Sequence, residues 1–274
     1  MKKLIMTLML MPMMALASLT DGLVAYYPFD GNANDASGNG NNGVVHGATL
    51  TADRFGNANG AYYFDGSSYI DAPNSSALYA ICRTVSVSAW IKPEAWYPGD
   101  GYISFDKWLS VLNKGYNDRQ FGIQIESDYG TKWLFSDNAC IGSVSQLPTL
   151  DTWSHVVITD DGVIMTAWLN GQSIGTASSS GYLPQTTESL YIGMDRPAGL
   201  EYFIGAMDDI RIYNRALSAA EVKALYDGTS DPVVYTVTFD LNGADGAAPA
   251  ERQIAEGAAV GPLLPNKIKA HRQS

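Results

Sequence analysis

Thr84-Val85-Ser86-Val87-Ser88-Ala89-Trp90-Ile91 alternates apolar with small polar side chains, the period of a strand with one buried face. The same period, or a short apolar run between turn residues, predicts strands over 23–29, 61–64, 68–71, 121–125, 132–135, 153–159, 163–169, 172–176, 189–193 and 204–213. Pro28 lacks an amide donor and marks the first of these as an edge strand. Asn170-Gly171 is the strongest short hairpin signal, because both residue types tolerate positive φ. Asp65-Gly66 reads as a second hairpin turn. In the last strand Ile210 and Ile212, with Leu217 beyond it, are the apolar positions, and Asp209, Arg211 and Asn214 the polar ones. Ser218 and Glu221 then stand in the S-x-x-E spacing of a capping box. The helix 219–226 stops at Gly228, a residue type that tolerates a left-handed end. Many short strands between Gly- and Asn-rich turns, closed by one short C-terminal helix, predict an all-β fold: a two-sheet antiparallel sandwich or jelly roll.

The ends of the chain add a compartment. Lys2 and Lys3 precede the apolar run Leu4 to Met14 and then Ala15-Leu16-Ala17, the layout of a signal peptide over 1–17. The run is shorter than the roughly 20 apolar residues of a membrane span. No second stretch is long enough, so the mature chain is expected to be exported, with no membrane span and as a monomer. It is then secreted or held at the cell surface, with the periplasm as the alternative. About 250 residues remain, enough for one large β-domain and a small appendage. The net charge of −11 repels phosphate backbones, so nucleic acid is not an expected partner. The same acidity, in a chain rich in Asn, Asp and Gly, suits calcium, which takes oxygen ligands. An oxidising compartment permits a disulfide between Cys82 and Cys140. Two unbridged thiols are the alternative, because a bridge requires Cα atoms within about 7 Å.

Several landmarks occur in a telling order. Tyr26-Tyr27-Pro28-Phe29-Asp30-Gly31 runs into a Gly/Asn/Asp loop ending at Gly43. Phe64-Asp65-Gly66, Val85 to Pro93, Trp153-Ser154-His155-Val156-Val157, Leu169-Asn170-Gly171, Ile192-Gly193 and the strand-and-helix ending follow. This series resembles LamG-like jelly-roll domains of the laminin-G and concanavalin-A-like superfamily. The resemblance covers about Leu23 to Gly228, implies a domain over 18–228 and selects the jelly roll. After the linker 229–232, Val233 to Gly243 with Ala248-Pro249 and Val260-Gly261-Pro262 is similar to internalin-type B-repeats. That resemblance implies a small β-grasp-like module over 233–274. The module is incomplete, because the expected Gly-Tyr-x-Phe-x-Gly-Trp segment is replaced by Lys267 to Ser274. Half a core does not easily offset its ordering entropy, so partial disorder is expected there.

Three chemistries compete for the site. The loop Asp30 to Gly43 offers Asp30, Asn32, Asn34 and Asp35 as oxygen donors for Ca2+, and Asp208 can approach if the first and last strands are neighbours. In the resembled family a calcium ion frequently ties these regions together, which implies a structural ion held by Asp30, Asn32, Asp35 and Asp208. The alternative is that Asn and Asp serve turn geometry. Sugar binding uses exposed rings for C–H faces and polar groups for hydroxyls. Trp96, Tyr97, Trp108 and Trp133, with Asp106, Asn117 and Arg119 among them, stand in the loop-rich stretch 93–135. The alternative for these rings is the core, where Trp90 and Trp153 are expected. His155 reads as packing and His46 as part of a Gly-flanked turn. No G-x-S-x-G elbow is present, nor the E-x-D-x-x-E strand of laminarinase-type hydrolases. Glu126-Ser127-Asp128 comes nearest to it, and Asp208-Asp209 should alternate faces. The reading is therefore a non-catalytic exported module that binds glycan. Alternatives are an adhesion or scaffold fragment whose ligand is an extracellular protein, and a glycoside hydrolase or polysaccharide lyase.

Overall fold

The computed structural model describes residues 18–98, 107–115, 119–126, 132–136, 139–142, 144–195, 201–229, 234–239, 252–255 and 268–271. The predicted signal segment 1–17 lies outside them. The elements follow as β1 (Leu23–Tyr27), β2 (Val44–His46), β3 (Thr49–Thr51), β4 (Ala61–Asp65), β5 (Tyr69–Ala72), α1 (Ser76–Tyr79), β6 (Val85–Ala95), β7 (Tyr97–Pro98), β8 (Lys107–Lys114), β9 (Phe121–Glu126), β10 (Lys132–Ser136), β11 (Ala139–Ile141), β12 (Ser154–Asp160), β13 (Ile164–Leu169), β14 (Gln172–Ser178), β15 (Leu190–Ile192), β16 (Ile204–Tyr213) and α2 (Ala219–Asp227). Three further strands, β17 (Val234–Phe239), β18 (Arg252–Ala255) and β19 (Ile268–His271), form a separate antiparallel sheet in the order β18-β17-β19.

The larger part is a two-sheet antiparallel jelly roll. Sheet A runs β14-β13-β12-β6-β16-β4-β3, with β1 also on β16; sheet B runs β11-β10-β9-β8-β15-β5-β2, with β7 on β8. First and last strands are thus direct neighbours, Tyr26 facing Arg211 and Tyr27 facing Ile210. Alternation on each strand fills the space between the sheets. Val87, Ala89 and Ile91 of β6, Ile123 and Ile125 of β9, and Ile210 and Ile212 of β16 are all fully buried there. Asn170 (φ 50°) and Gly171 (φ 76°) make the predicted turn between β13 and β14.

Four expectations are corrected. Asp65-Gly66 does not close a hairpin: β4 pairs with β3 and β16 in sheet A, whereas β5 pairs with β15 and β2 in sheet B. The Asp65 carboxylate instead accepts from the amides of Ser67 and Ser68 at 2.9 Å, folding the chain across from one sheet to the other. Trp133 lies in the inter-sheet core, while Trp90 is buried on the opposite face of its strand and Trp153 is only half-buried. The stretch 93–135 contains β8, β9 and part of β10 and is less loop-rich than expected. Cys82, half-buried, and Cys140, exposed, are free thiols, the unbridged alternative of the two weighed from sequence.

α2 closes the outer side of sheet A. Ser218 Oγ accepts from the Glu221 amide while Glu221 Oε2 accepts from the Ser218 amide, completing the predicted capping box. Gly228 (φ 72°) ends the helix in the left-handed region. Val222, Ala224 and Leu225 pack with Leu19, Val157, Tyr213 and Leu217 as a second, smaller apolar cluster.

Candidate functional site

On sheet B, the positions that alternate with the core form an outward face with two parts. Across β8 and β9, Ser110 stands opposite Gln124 and Asn113 opposite Gly122. Ser110, Asn113, Gln124 and Glu126 are all buried although none points into the inter-sheet core. Gln124 Nε2 donates to Ser110 Oγ at 3.2 Å and to Glu201 Oε2. Arg119 Nη2 donates to Asp195 Oδ1. Asn113 Oδ1 has no hydrogen-bond partner among the described residues and sits where a Cβ on Gly122 would come within 2.3 Å of it, so only glycine fits opposite this amide.

The second part of the face is more open. Ile70 and Ala72 point inward, which turns Tyr69 and Asp71 outward. Register places His46 beside Tyr69 and Tyr191 beside Asp71. The His46 ring lies on the Tyr69 ring at 4.4 Å between centroids and 14° between planes. His46 Nε2 is 2.6 Å from Asp71 Oδ1. Burial raises the Tyr191 phenol above its ordinary value against the pull of its hydrogen bond with Ser189, and the Glu188 and Asp71 carboxylates add to the rise, so its hydroxyl remains a donor at neutral pH. Flat rings beside a carboxylate and a phenol are the groups that meet the C–H faces and hydroxyls of a sugar.

Sheet A carries a different constellation. Its strand β16 has a bulge between Asp208, opposite Trp90, and Arg211, opposite Ser88. Asp209 takes φ 50° there, which breaks the alternation expected from sequence and brings Asp208 and Asp209 to one group. Arg54 Nη1 donates to Asp208 Oδ2 and Nη2 to Asp209 Oδ2, both at 2.5 Å. Tyr26 Oη donates to Asp209 Oδ1 at 2.7 Å, and Arg211 Nη2 lies 3.2 Å from the same oxygen. Burial, with repulsion from Asp209 next, pushes Asp208 up to about 7 against the pull of Arg54. Burial works to raise Asp209 too, but Arg211, the Tyr26 hydroxyl and Arg54 outweigh it and hold Asp209 below its ordinary value. Beside this pair is a cleft of about 240 Å³ lined by Tyr26, Asp30, Asp53, Phe55, Asp208 and Asp209 among others.

The predicted calcium ligands do not converge. Asp30 and Asp208 line the cleft, but Asn32 and Asp35 do not. Asn32 Oδ1 accepts from the Asn34 amide within its own loop. Asp35 accepts from the amides of Tyr26, Ser37 and Asn41 at 2.8–2.9 Å, contacts that overcome burial and lower its carboxyl. Calcium needs six to eight oxygens, whereas the Asp35 carboxylate already serves amides and Asp208 a guanidinium. As arranged, these four residues do not fit the ion.

Of the predicted sugar contacts, Trp133 is fully buried between the sheets and presents no ring to a ligand. Trp96 is half-buried and packs against the core edge. Tyr97 and Trp108 are register partners between β7 and β8. Arg119 belongs to the outward face of sheet B through Asp195. Asp106 and Asn117 lie outside the described residues. The sequence reading missed His46, Tyr69, Asp71 and Tyr191. The alternation Tyr69-Ile70-Asp71-Ala72 was the signal for two of them, while the His46–Asp71 contact spans 25 positions and has no local signature. His155 is buried as expected, with Nε2 2.8 Å from Ser88 Oγ and its ring against Trp90.

Comparison with known proteins identifies the fold family. No curated protein matches the sequence. Among solved structures, domain 4 of AbnA, an extracellular GH43 arabinanase from Geobacillus stearothermophilus solved with arabinotriose, is similar at 20% identity and TM-score 0.58, over 74% of this chain and 98% of that one. The binding domain of Paraclostridial Mosquitocidal Protein 1 is similar at 20% identity and TM-score 0.59, over 81% of this chain and 58% of that one. The binding domain of Botulinum Neurotoxin DC, solved with SialylT, is similar at 14% identity and TM-score 0.57, over 82% and 59%. The chain thus spans less than two thirds of both toxin domains. At these identities the likeness is one of fold. The laminin-G-type family model described as the concanavalin A-like lectin/glucanases superfamily matches residues 64–223, more than half the chain, and with the two-sheet jelly roll it shows that the protein belongs to that superfamily.

Proposed function

We propose that the protein is an exported, non-catalytic glycan-binding module whose ligand lies on the outward face of sheet B. One observation carries this reading: the stacked His46–Tyr69 pair, Asp71 and Tyr191 stand together on regular strands, continuous with the polar row Asn113, Ser110 and Gln124. A sugar ring laid against the His46–Tyr69 stack would direct hydroxyls toward Asp71 and the Tyr191 phenol, and rigid strands hold these groups more firmly than loops do. The similar arabinanase domain, solved with an arabinose oligosaccharide, supports a carbohydrate as the ligand class. The test is a glycan array followed by titration of the best hit against Tyr69→Ala and Asp71→Asn. Each substitution is expected to weaken binding about tenfold, the equivalent of roughly 1.4 kcal/mol, with the melting temperature nearly unchanged. Full binding by both variants would sink this placement.

A hydrolase reading draws on one feature: Glu126 and Glu201 both lie close to Gln124, two carboxylates on one outward face. Hydrolysis of a polysaccharide that disappears in Glu126→Gln would establish it in place of binding alone. The tail is proposed to be a partial internalin-type B-repeat, supported by its three-stranded antiparallel sheet, which keeps a surface adhesin with a protein ligand as the further alternative.

A further inference from the structure

We propose that Arg54 is the resident cation of the join between the first and last strands, its guanidinium holding the place the sequence assigned to calcium. Arg54 sits on the segment between β3 and β4. Asp53 builds that segment by accepting from the amides of Phe55 and Asn57 at 2.8 Å and from Asn57 Nδ2, a local turn that aims residue 54 across the sheet. The guanidinium then lies over the Phe55 ring at 4.4 Å and over the Trp90 ring at 4.8 Å. Its side chain is only 11% exposed, and the carboxylates it meets are 5% and 12% exposed. A planar fork of donors suits two carboxylates side by side better than a point charge does, and the bulge at Asp209 presents them that way.

The oxygen count points the same way. Asp208 Oδ2 and Asp209 Oδ2 each accept from Arg54, and Asp209 Oδ1 serves Tyr26 and Arg211. Both oxygens of Asp209 are therefore claimed, and the Asp208 carboxylate takes the Asp209 backbone amide besides Arg54. Tyr26 also donates its amide to Asp35, so the Asp30–Gly43 loop, β1 and β16 are linked through this one ion-pair cluster. The domain's stability should then be indifferent to divalent cations and dependent on residue 54.

Thermal melting of the full chain tests this without reading glycan binding, so the two proposals fail separately. The wild-type protein is expected to melt at the same temperature in excess EGTA and in millimolar calcium. Arg54→Met leaves two buried carboxylates facing each other and should lower the melting temperature on the order of 10 °C. Arg54→Lys, which serves one carboxylate at a time, should fall between them. If Arg54→Met does not fold, that is the same loss in stronger form, and Arg54→Lys supplies the graded reading. A wild-type melting temperature that drops in EGTA, or a lysine variant that melts with the wild type, would overturn the proposal.

Discussion

The outer faces of the two sheets are built from similar residues and put them to opposite uses. On sheet A, Arg54, Trp90 and Tyr226 stack in succession, Trp90 and Tyr226 at 5.7 Å and 14°, so that α2 supplies the last ring of the column and covers Trp90. Arg54, Asp208, Asp209 and Arg211 each meet an opposite charge there. On sheet B, a stacked His–Tyr pair and a carboxylate are left facing solvent, and the buried amide oxygen of Asn113 has no partner among the described residues. The difference is the covering helix. Aromatic and charged groups under a lid become structure, while the same groups without one are left open to solvent, which is what the proposed ligand face requires.

That contrast can be broken most forcefully at Trp90. Trp90→Ala removes the ring between Arg54 and Tyr226 and should cost about 3–5 kcal/mol in denaturant unfolding, while glycan titration of the surviving folded protein stays unchanged. Loss of affinity in step with stability would show that the two faces are not independent.

A smaller effect concerns acid. Burial, reinforced by Arg211 and Arg54, lowers His155 to about 3. The unfolded chain therefore takes up this proton first, and the stability His155 contributes is lost as pH falls from about 6.5 toward 3. Asp208 has the opposite sign. Its folded value near 7 lies above the unfolded one, so the folded chain takes up the proton first and stability grows as pH falls from about 7 toward 4. In the wild type the two slopes oppose each other. Unfolding measured from pH 4 to 8 should show His155→Gln gaining stability on acidification and Asp208→Asn losing it. Parallel curves for the two variants would contradict this assignment.

The smallest effect is expected at the lid itself. Ser218→Ala deletes one half of the capping box and should cost about 1 kcal/mol, with no change at sheet B. A larger loss would mean that α2 supports the aromatic column beneath it more than its contacts suggest.

Much of the frame was legible along the chain. The alternation in 84–91, the Asn170-Gly171 turn, and the Ser218–Glu221 cap with Gly228 each depend on neighbours within a few positions, and each appears as expected. The site was less legible. Trp133 reads as well for a ligand ring as for a core ring, because residue type does not say which side of a strand a position occupies. Asp65-Gly66 carries a turn signal without saying whether the next strand joins the same sheet. Asp208 and Asp209 read as alternating until a bulge, which no local pattern announced, put both on Arg54.

By itself, then, the sequence determined the strand period, the turns, the helix cap and the family to which they add up, since these follow from interactions between residues close in the chain. Only the tertiary structure decided which charged groups meet. Arg54 finds Asp208 across 154 positions and Tyr26 finds Asp209 across 183. Such pairings are set by strand order and by one bulged residue, and their energy comes from burial that exists only once both sheets have closed.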